Sequence, residues 1–264
     1  MGKTIGLQDM KSIELDITRE IYAVCHAEGL KCLLYAGTLL GAVRHHGFIP
    51  WDDDVDLLMP REDYERFPEV FARRTTKPYL RVTWYRDRSS IYPFIKVVDT
   101  RTEVIEHYLD ESHCRTGVWV DLFPLDSLGP SDEPFERCLK LRRKYDYLVA
   151  NVNEGASAAS RLGKRVLKAV MPKEDIYAIA RQMDDIAREA HQEGSSDLGQ
   201  VVWSFGPSER MPQSMLETST YDFEDERFEG PASYDYCLSR WYGDYMTPPP
   251  EGERKPHYVD ARWL

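Results

Sequence analysis

The chain has 264 residues, of which 42% are hydrophobic and 30% charged, so it is long and apolar enough to build a sizeable core. Its formal net charge of -11 argues against general binding to nucleic acid, which requires a basic surface. It has no apolar run of about 18 residues, no apolar leader and no paired C-x-x-C cysteines, so we expect a cytoplasmic protein with reduced thiols.

The first part of the chain alternates predicted helices and strands. Apolar residues at three- and four-residue spacing predict a helix from residue 7 to about 28, ended by Gly29. A strand in "KCLLYAG", a short helix or turn in "TLLGAVRHHG" and a strand in "DVDLLMP" follow. "REDYERFPEVFARR" predicts a helix interrupted near Pro68. Four further strands are predicted in "YLRVTWY", "FIKVVDT", "TEVIEHY" and "GVWVDLF".

From about residue 131 the pattern becomes helical. Three helices are predicted in "PFERCLKLRRKYDYLVANV", "RLGKRVLKAV" and "KEDIYAIARQMDDIAREAHQ", and a loop-rich tail follows Gly194. We therefore expect an α/β (α+β) fold with a mixed-sheet core and flanking helices. Residues 1–130 are predicted to form this core, and residues 131–264 a mainly helical and loop-rich portion that completes it.

Acidic residues concentrate in "WDDDVDLL", directly before a predicted buried segment. If this stretch is a strand, Asp52, Asp54 and Asp56 share one face, while Asp53 points away into solvent. Three carboxylates on one face repel each other unless a cation neutralises them, and oxygen ligands suit Mg²⁺ or Mn²⁺. The alternative is an ordinary acidic turn.

Two further features favour the cation site. Gly37 and Thr38 lie where a strand gives way to a helix, and the backbone N–H groups at a helix start attract an anion. Asp121 lies in the otherwise apolar strand "VWVDLFPLD", where a buried carboxylate needs a partner. A metal held by the neighbouring strand would be that partner.

These motifs resemble the nucleotidyltransferase-fold superfamily and, more closely, the LicD family, to which the fukutin-type proteins are related. The similarity rests on "YAGTLLGAVRHHGFIPWDDDVDL" at 35–57, "VDLFPLD" at 120–126, "FEG" at 228–230 and "YGDYMTPPP" at 242–250, in that order. It spans roughly residues 15 to 250, and its first motif is highly specific.

The resemblance implies transfer of a phospho-substituent, such as phosphocholine or a polyol phosphate, from a CDP-activated donor to a hydroxyl of a glycan or its lipid-linked precursor. CMP is the implied product. Within this scheme we expect Asp54 and Asp56 to bind the metal, with Asp52 as an outer ligand. Asp121 is either a further ligand or the base that accepts the proton of the acceptor.

We expect the backbone at Gly37 and Thr38 to bind the donor. Two basic side chains are candidate ligands of the donor phosphates. Arg44 ends the "GTLLGAVR" segment, where its guanidinium can bind two phosphate oxygens. Lys96 lies in a strand, where a lysine is uncommon. Trp241, Tyr242 and Tyr245 are more consistent with core packing than with a cage for a quaternary ammonium, since the family keeps this segment across different donors.

A basic amphipathic helix is predicted in "RLGKRVLKAVMPK", and residues 161–173 are a candidate membrane-surface contact, with a solvated helix face as the alternative. The rival functions are a nucleotidyltransferase that moves a nucleoside monophosphate to a hydroxyl, a sugar transferase, and a non-catalytic scaffold in polysaccharide assembly. Retention of all three aspartates Asp54, Asp56 and Asp121 argues against the scaffold, because a degenerate site has no electrostatic reason to keep them.

Overall fold

The computed structural model describes residues 2–153, 157–170, 174–254, 256 and 259–264. The helices are α1 (Leu7–Glu28), α2 (Ala36–His45), α3 (Arg61–Arg74), α4 (Glu133–Val149), α5 (Ala158–Val170), α6 (Ile176–Ala190) and α7 (Tyr234–Tyr242). The strands are β1 (Thr4–Ile5), β2 (Leu33–Leu34), β3 (Asp56–Pro60), β4 (Leu80–Thr83), β5 (Ile95–Glu106), β6 (Arg115–Leu128), β7 (Asp197–Gly199), β8 (Arg210–Pro212), β9 (Thr218–Phe223), β10 (Glu226–Pro231) and β11 (Val259–Trp263). The predicted α/β (α+β) class is confirmed.

Most of the predicted helices lie where the pattern places them. Gly29 follows α1 in the left-handed conformation with φ of 66°, and its N–H caps the carbonyl of Cys25. The interruption predicted near Pro68 is wrong, because α3 runs through this proline without a break. The strands predicted in "FIKVVDT" and "TEVIEHY" are a single strand, β5, whose pairing with β6 shifts register between Asp99 and Val104.

The main sheet has the order β1-β11-β5-β6-β3-β2, with β4 on the edge of β5 and the β7–β8 ribbon on the end of β6. Strands β3 and β6 are parallel, whereas β5 runs antiparallel to β6. The central strands β5, β6 and β3 are therefore neighbours, and side chains at matching register lie beside each other across all three.

Each central strand contributes alternate residues to two apolar cores on opposite faces of the sheet. On the first face, Leu57 and Leu122 pack with α1 and α3. On the second face, Leu58, Phe123 and Leu125 pack with α4 and α6. Because this alternation has a period of two, a polar residue two positions before Leu58 or Phe123 in the same strand lies on the second face.

The tail after Gly194 contains strands that the sequence pattern did not predict. Strand β11 returns to pair with β5, and β1 pairs with β11, so both ends of the chain join the sheet built by the first 130 residues. The predicted division at residue 130 stays a prediction, since both apolar cores draw residues from both sides of it.

Buried charges attach two helices to the carboxyl end of β6. The Arg61 guanidinium at the start of α3 donates to both carboxylate oxygens of Asp126 at 2.7 and 2.8 Å. It also donates to Asp184 of α6 at 2.8 Å. This bidentate pairing fixes α3 and α6 relative to β6, the strand that carries Asp121.

Candidate active site

A cavity of about 650 Å³ opens on the second face of the sheet. Its walls come from the central strands, from α2, α4, α5 and α7, and from the segments at 200–209. Aromatic rings form most of its surface, and they belong to Tyr35, Tyr92, Phe94, Tyr108, Trp119, Phe123, Tyr145, Trp203, Phe205, Trp241 and Tyr242. This size and this mostly apolar wall with a few polar groups are typical of small-molecule sites.

Four of the predicted site residues line this cavity: Asp54, Asp56, Lys96 and Asp121. Asp56 pairs in register with Asp121 across the parallel strands β3 and β6. Lys96 pairs in register with the same Asp121 across the antiparallel strands β5 and β6. The three side chains therefore lie side by side on the second face, as the alternation of the strands requires.

Asp121 is buried and contacts two donors. Trp119, two residues earlier on the same face, donates from its indole N–H to Oδ2 at 3.1 Å. The Lys96 ammonium lies 3.1 Å from Oδ1, although that oxygen accepts no well-oriented hydrogen bond from the described residues. The same ammonium lies 4.0 Å from the Trp119 ring centroid and 4.3 Å from that of Tyr92. Asp121 and Lys96 thus form a buried ion pair walled by aromatic rings.

The carboxyl groups of the cavity repel one another. Burial raises the pKa of Asp56 well above its usual range, and the nearby carboxylates of Asp54, Asp121 and Asp52 raise it further. Burial also raises the pKa of Asp121, while the Lys96 ammonium opposes this rise. A divalent cation between these groups would relieve the repulsion.

Only one of the three aspartates predicted to share a strand face belongs to a strand. β3 begins at Asp56, so Asp52 and Asp54 precede it in an irregular segment and are not placed by strand alternation. Asp53, predicted to be solvated, is instead buried. The segment before these aspartates is fixed by Lys11 of α1, whose ammonium donates to the carbonyls of residues 49 and 50 at 2.9 and 3.2 Å.

Gly37 and Thr38 support this acidic segment from α2. The Thr38 hydroxyl accepts a hydrogen bond from the backbone N–H of Asp56 at 2.8 Å. A Cβ at Gly37 would lie 3.1 Å from a carboxylate oxygen of Asp52, so glycine permits the close approach of these two segments. Neither residue is among the described residues that line the cavity. Their predicted contact with the donor stays a prediction.

Arg44, at the end of α2, lies away from the cavity. Its guanidinium donates to the Tyr245 carbonyl at 2.6 Å and to the His45 ring at 2.9 Å. Burial lowers the pKa of Arg44, and the nearby Arg254 lowers it further. The structure therefore does not bring Arg44 together with Lys96, and its predicted phosphate contact remains untested.

The residues fit a divalent cation held by two carboxylates. Asp54 and Asp56 both line the cavity, and the repulsion between their carboxylates is the electrostatic situation that a cation neutralises. Among the described residues no group of three His, Cys, Asp or Glu side chains is arranged as a preformed metal site. Mg²⁺ commonly takes one or two carboxylates and completes its shell with water and substrate phosphates, and the predicted cation stays a prediction.

Glu209 is a carboxyl group of the cavity that the sequence did not indicate. It lies in a short 3-10 turn, Pro207–Glu209, and its carboxylate accepts a hydrogen bond of 2.5 Å from the Tyr35 hydroxyl. Burial raises the pKa of Glu209 to about 7, although the Tyr35 hydroxyl, the Phe205 N–H and the Arg142 guanidinium all favour the charged form. Glu209 therefore titrates near neutral pH.

Glu209→Gln is expected to change how stability depends on pH. Because the folded-state pKa of about 7 exceeds the usual 4.5, the folded state binds the proton more tightly. The resulting stabilisation is complete below the unfolded-state pKa and is lost as the pH rises through about 7. Between pH 4 and 8, the free energy of unfolding of the native chain should thus fall by about 3 kcal/mol more than that of the Glu209→Gln variant. Urea titrations of both proteins across this range measure the difference, and parallel pH profiles would contradict it.

The aromatic residues at the end of α7 and just after it divide between the cavity and the core. Trp241 and Tyr242 line the cavity, and Trp241 packs edge-on against Tyr35 with ring centroids 5.1 Å apart. The Tyr245 hydroxyl instead donates to Asp235 at 2.6 Å, and this ring is not among the described residues lining the cavity. The three rings therefore do not form a common cage, and the predicted core-packing role fits Tyr245, which is buried in the first apolar core, but not the exposed Tyr242.

Comparison with known proteins relates this architecture to one family. Residues 29–127 match the family described as "LicD/FKTN/FKRP, nucleotidyltransferase domain". The chain is 27% identical to the lipopolysaccharide cholinephosphotransferase LicD of Haemophilus influenzae, over 99% of both chains. A stretch of 48 residues, 18% of this chain and 10% of the relative, is 46% identical to the ribitol 5-phosphate transferase FKRP of Homo sapiens.

Proposed function

Because the chain belongs to the LicD family, we propose that it is a phosphotransferase that moves a phospho-substituent to a glycan hydroxyl. The observation that carries this proposal is the convergence of Asp54, Asp56, Lys96 and Asp121 on one cavity. The relatives are named for the transfer of phosphocholine and of ribitol 5-phosphate, and the first of them is named for lipopolysaccharide. The proposed acceptor is accordingly a cell-surface glycan or its lipid-linked precursor.

The proposed donor is a CDP-activated alcohol, and the proposed cofactor is Mg²⁺ or Mn²⁺. Asp54 and Asp56 are the residues that would hold the cation. When bound there, the cation would neutralise part of the negative charge of the donor diphosphate. Phosphoryl transfer mainly requires neutralisation of the phosphate charge and alignment of the attacking and leaving oxygens, which lie roughly in line with the phosphorus.

The side chains of the cavity have separate roles in this proposal. The acceptor hydroxyl attacks the phosphorus that carries the choline or polyol group, the bond from that phosphorus to the bridging oxygen breaks, and CMP leaves. The Lys96 ammonium, held in place by Asp121, is positioned to bind a donor phosphate oxygen. Its burial strengthens that contact, since water does not compete for it.

Two carboxyl groups are candidates to accept the proton of the acceptor hydroxyl. Asp121 is one of them, but its carboxylate already contacts Lys96 and Trp119. Glu209 is the other, and its pKa of about 7 suits a general base at neutral pH. We therefore assign the proton transfer to Glu209 and the orientation of Lys96 to Asp121.

The test is the identity of the products. The protein is incubated with CDP-choline, CDP-glycerol or CDP-ribitol, Mg²⁺ and candidate glycans, and the nucleotide products are separated by chromatography. We expect CMP release together with a phosphodiester-linked substituent on the glycan, and loss of both when EDTA removes the metal. Release of pyrophosphate from a nucleoside triphosphate, with a nucleotide attached to the acceptor, would instead support the rival nucleotidyltransferase.

A further inference from the structure

Helix α5 presents two large apolar side chains to solvent. Leu162 and Val166 lie one turn apart on the same side of the helix and are 62% and 56% exposed. An amphipathic helix of a globular protein normally turns this stripe toward the core. These two apolar side chains of α5 are therefore directed away from the protein body.

The opposite side of α5 carries basic side chains that contact the protein. Lys168 donates to Asp110 at 2.9 Å and to the Ala150 carbonyl at 3.2 Å. Lys164, one turn earlier, lines the cavity. Residues 162 and 164 are about 200° apart around a helix, so Lys164 and Lys168 lie opposite Leu162 and Val166, whereas Arg165 lies about 60° from Leu162 and flanks the apolar side.

Polar contacts attach α5 to the rest of the chain. Besides the Lys168 contacts, Arg165 donates to the Asn153 side chain at 2.7 Å. None of the described helices or strands packs against α5 over more than isolated contacts. The exposed Leu162 and Val166 thus have no apolar surface to cover them within the described part of the chain.

The charge of α5 indicates what covers this apolar side. The helix has no acidic residue, and its charged residues are Arg161, Lys164, Arg165 and Lys168. The chain as a whole has a net charge of -11, so α5 is a basic segment on an acidic protein. A symmetric contact between two copies would bring these two basic sets together, which is unfavourable. An anionic bilayer offers both apolar depth and complementary charge.

We propose that α5 is a membrane-surface helix that docks the protein on an anionic lipid bilayer through Leu162 and Val166, with the exposed Arg165 that flanks them near the headgroups. None of the described helices is long and apolar enough to cross a bilayer, so this contact lies in the interface. The segment indicated by the sequence was 161–173, of which residues 171–173 lie outside the described residues. The proposal does not depend on the transferase reaction.

The test is co-sedimentation of the full chain with vesicles of phosphatidylcholine and phosphatidylglycerol, beside vesicles of phosphatidylcholine alone. We expect binding to the anionic vesicles at low ionic strength and its loss in 0.5 M salt. Leu162→Ser with Val166→Ser should lower the partition coefficient about tenfold. Arg165→Gln should lower it about fivefold, as expected for one basic residue near an anionic surface.

The matched control removes two exposed leucines elsewhere, with Leu7→Ser and Leu264→Ser in one chain, and should bind like the native protein. Thermal unfolding by circular dichroism checks that each variant is folded. The proposal is overturned if the native chain ignores anionic vesicles, binds both vesicle types equally, or binds normally after the α5 substitutions. A native dimer that the α5 substitutions convert to a monomer, without vesicle binding, would assign this surface to a second copy.

Discussion

Asp56→Asn is expected to lower the rate of CMP release by about 10³-fold, since the substitution removes a proposed cation ligand while keeping the size of the side chain. The fold should survive. Burial and neighbouring carboxylates already raise the pKa of Asp56, so the neutral amide removes repulsion from the folded state. We therefore expect a free energy of unfolding that is equal to or higher than that of the native chain.

Turnover and urea unfolding measured on the same preparation separate these two effects. Asp222→Asn is the matched control, because Asp222 lies on β9 and pairs at the surface with Arg227. It should leave both quantities near their native values. Near-normal CMP release by a folded Asp56→Asn protein would remove Asp56 from the proposed cation site.

Lys96→Met is expected to have the largest effect on stability. It leaves the Asp121 carboxylate buried without its ammonium partner, and breaking a buried ion pair from one side typically costs about 3–5 kcal/mol. The contacts of the ammonium with the Tyr92 and Trp119 rings are lost as well. The loss should appear as a lower midpoint of urea unfolding with an unchanged slope.

The double variant Lys96→Met with Asp121→Asn tests the cause of this loss. Removing both charges leaves no uncompensated ion, so most of the stability should return, and the double-mutant cycle should show strong coupling. Lys77→Met is the control, because Lys77 pairs with Asp16 in a partly exposed position and should cost about 1 kcal/mol or less. Additive effects at Lys96 and Asp121 would show that their charges are not coupled in the fold.

The central strands could be predicted because their sequences are rich in β-branched and aromatic residues. That composition placed Asp121 and Lys96 in strands, and the structure confirms both positions. It could not predict that Asp56 and Lys96 both pair in register with Asp121, because pairing across strands depends on contacts between distant segments. The alternation of side chains along a strand was also applied to residues before the strand begins, since Asp52 and Asp54 precede β3.

The rest of the cavity depends on segments without a periodic signal. Glu209 lies in a short turn, and only packing against Tyr35 makes its carboxyl a buried group.

The side of α5 that faces solvent could not be predicted from the sequence either. Its sequence predicts an apolar stripe through Leu162 and Val166, but a stripe alone does not say whether it faces the core or solvent. Contacts such as that of Lys168 with Asp110 decide the direction.

The most direct test of the proposed site is a crystal structure of the protein grown with Mn²⁺ and CDP, the nucleotide part shared by the candidate donors. We predict an anomalous Mn²⁺ peak bonded to carboxylate oxygens of Asp54 and Asp56 at about 2.1 Å, with the diphosphate completing its shell in the cavity. A nucleotide bound in the cavity with neither carboxylate touching the metal, or a metal held by other residues, would contradict the account.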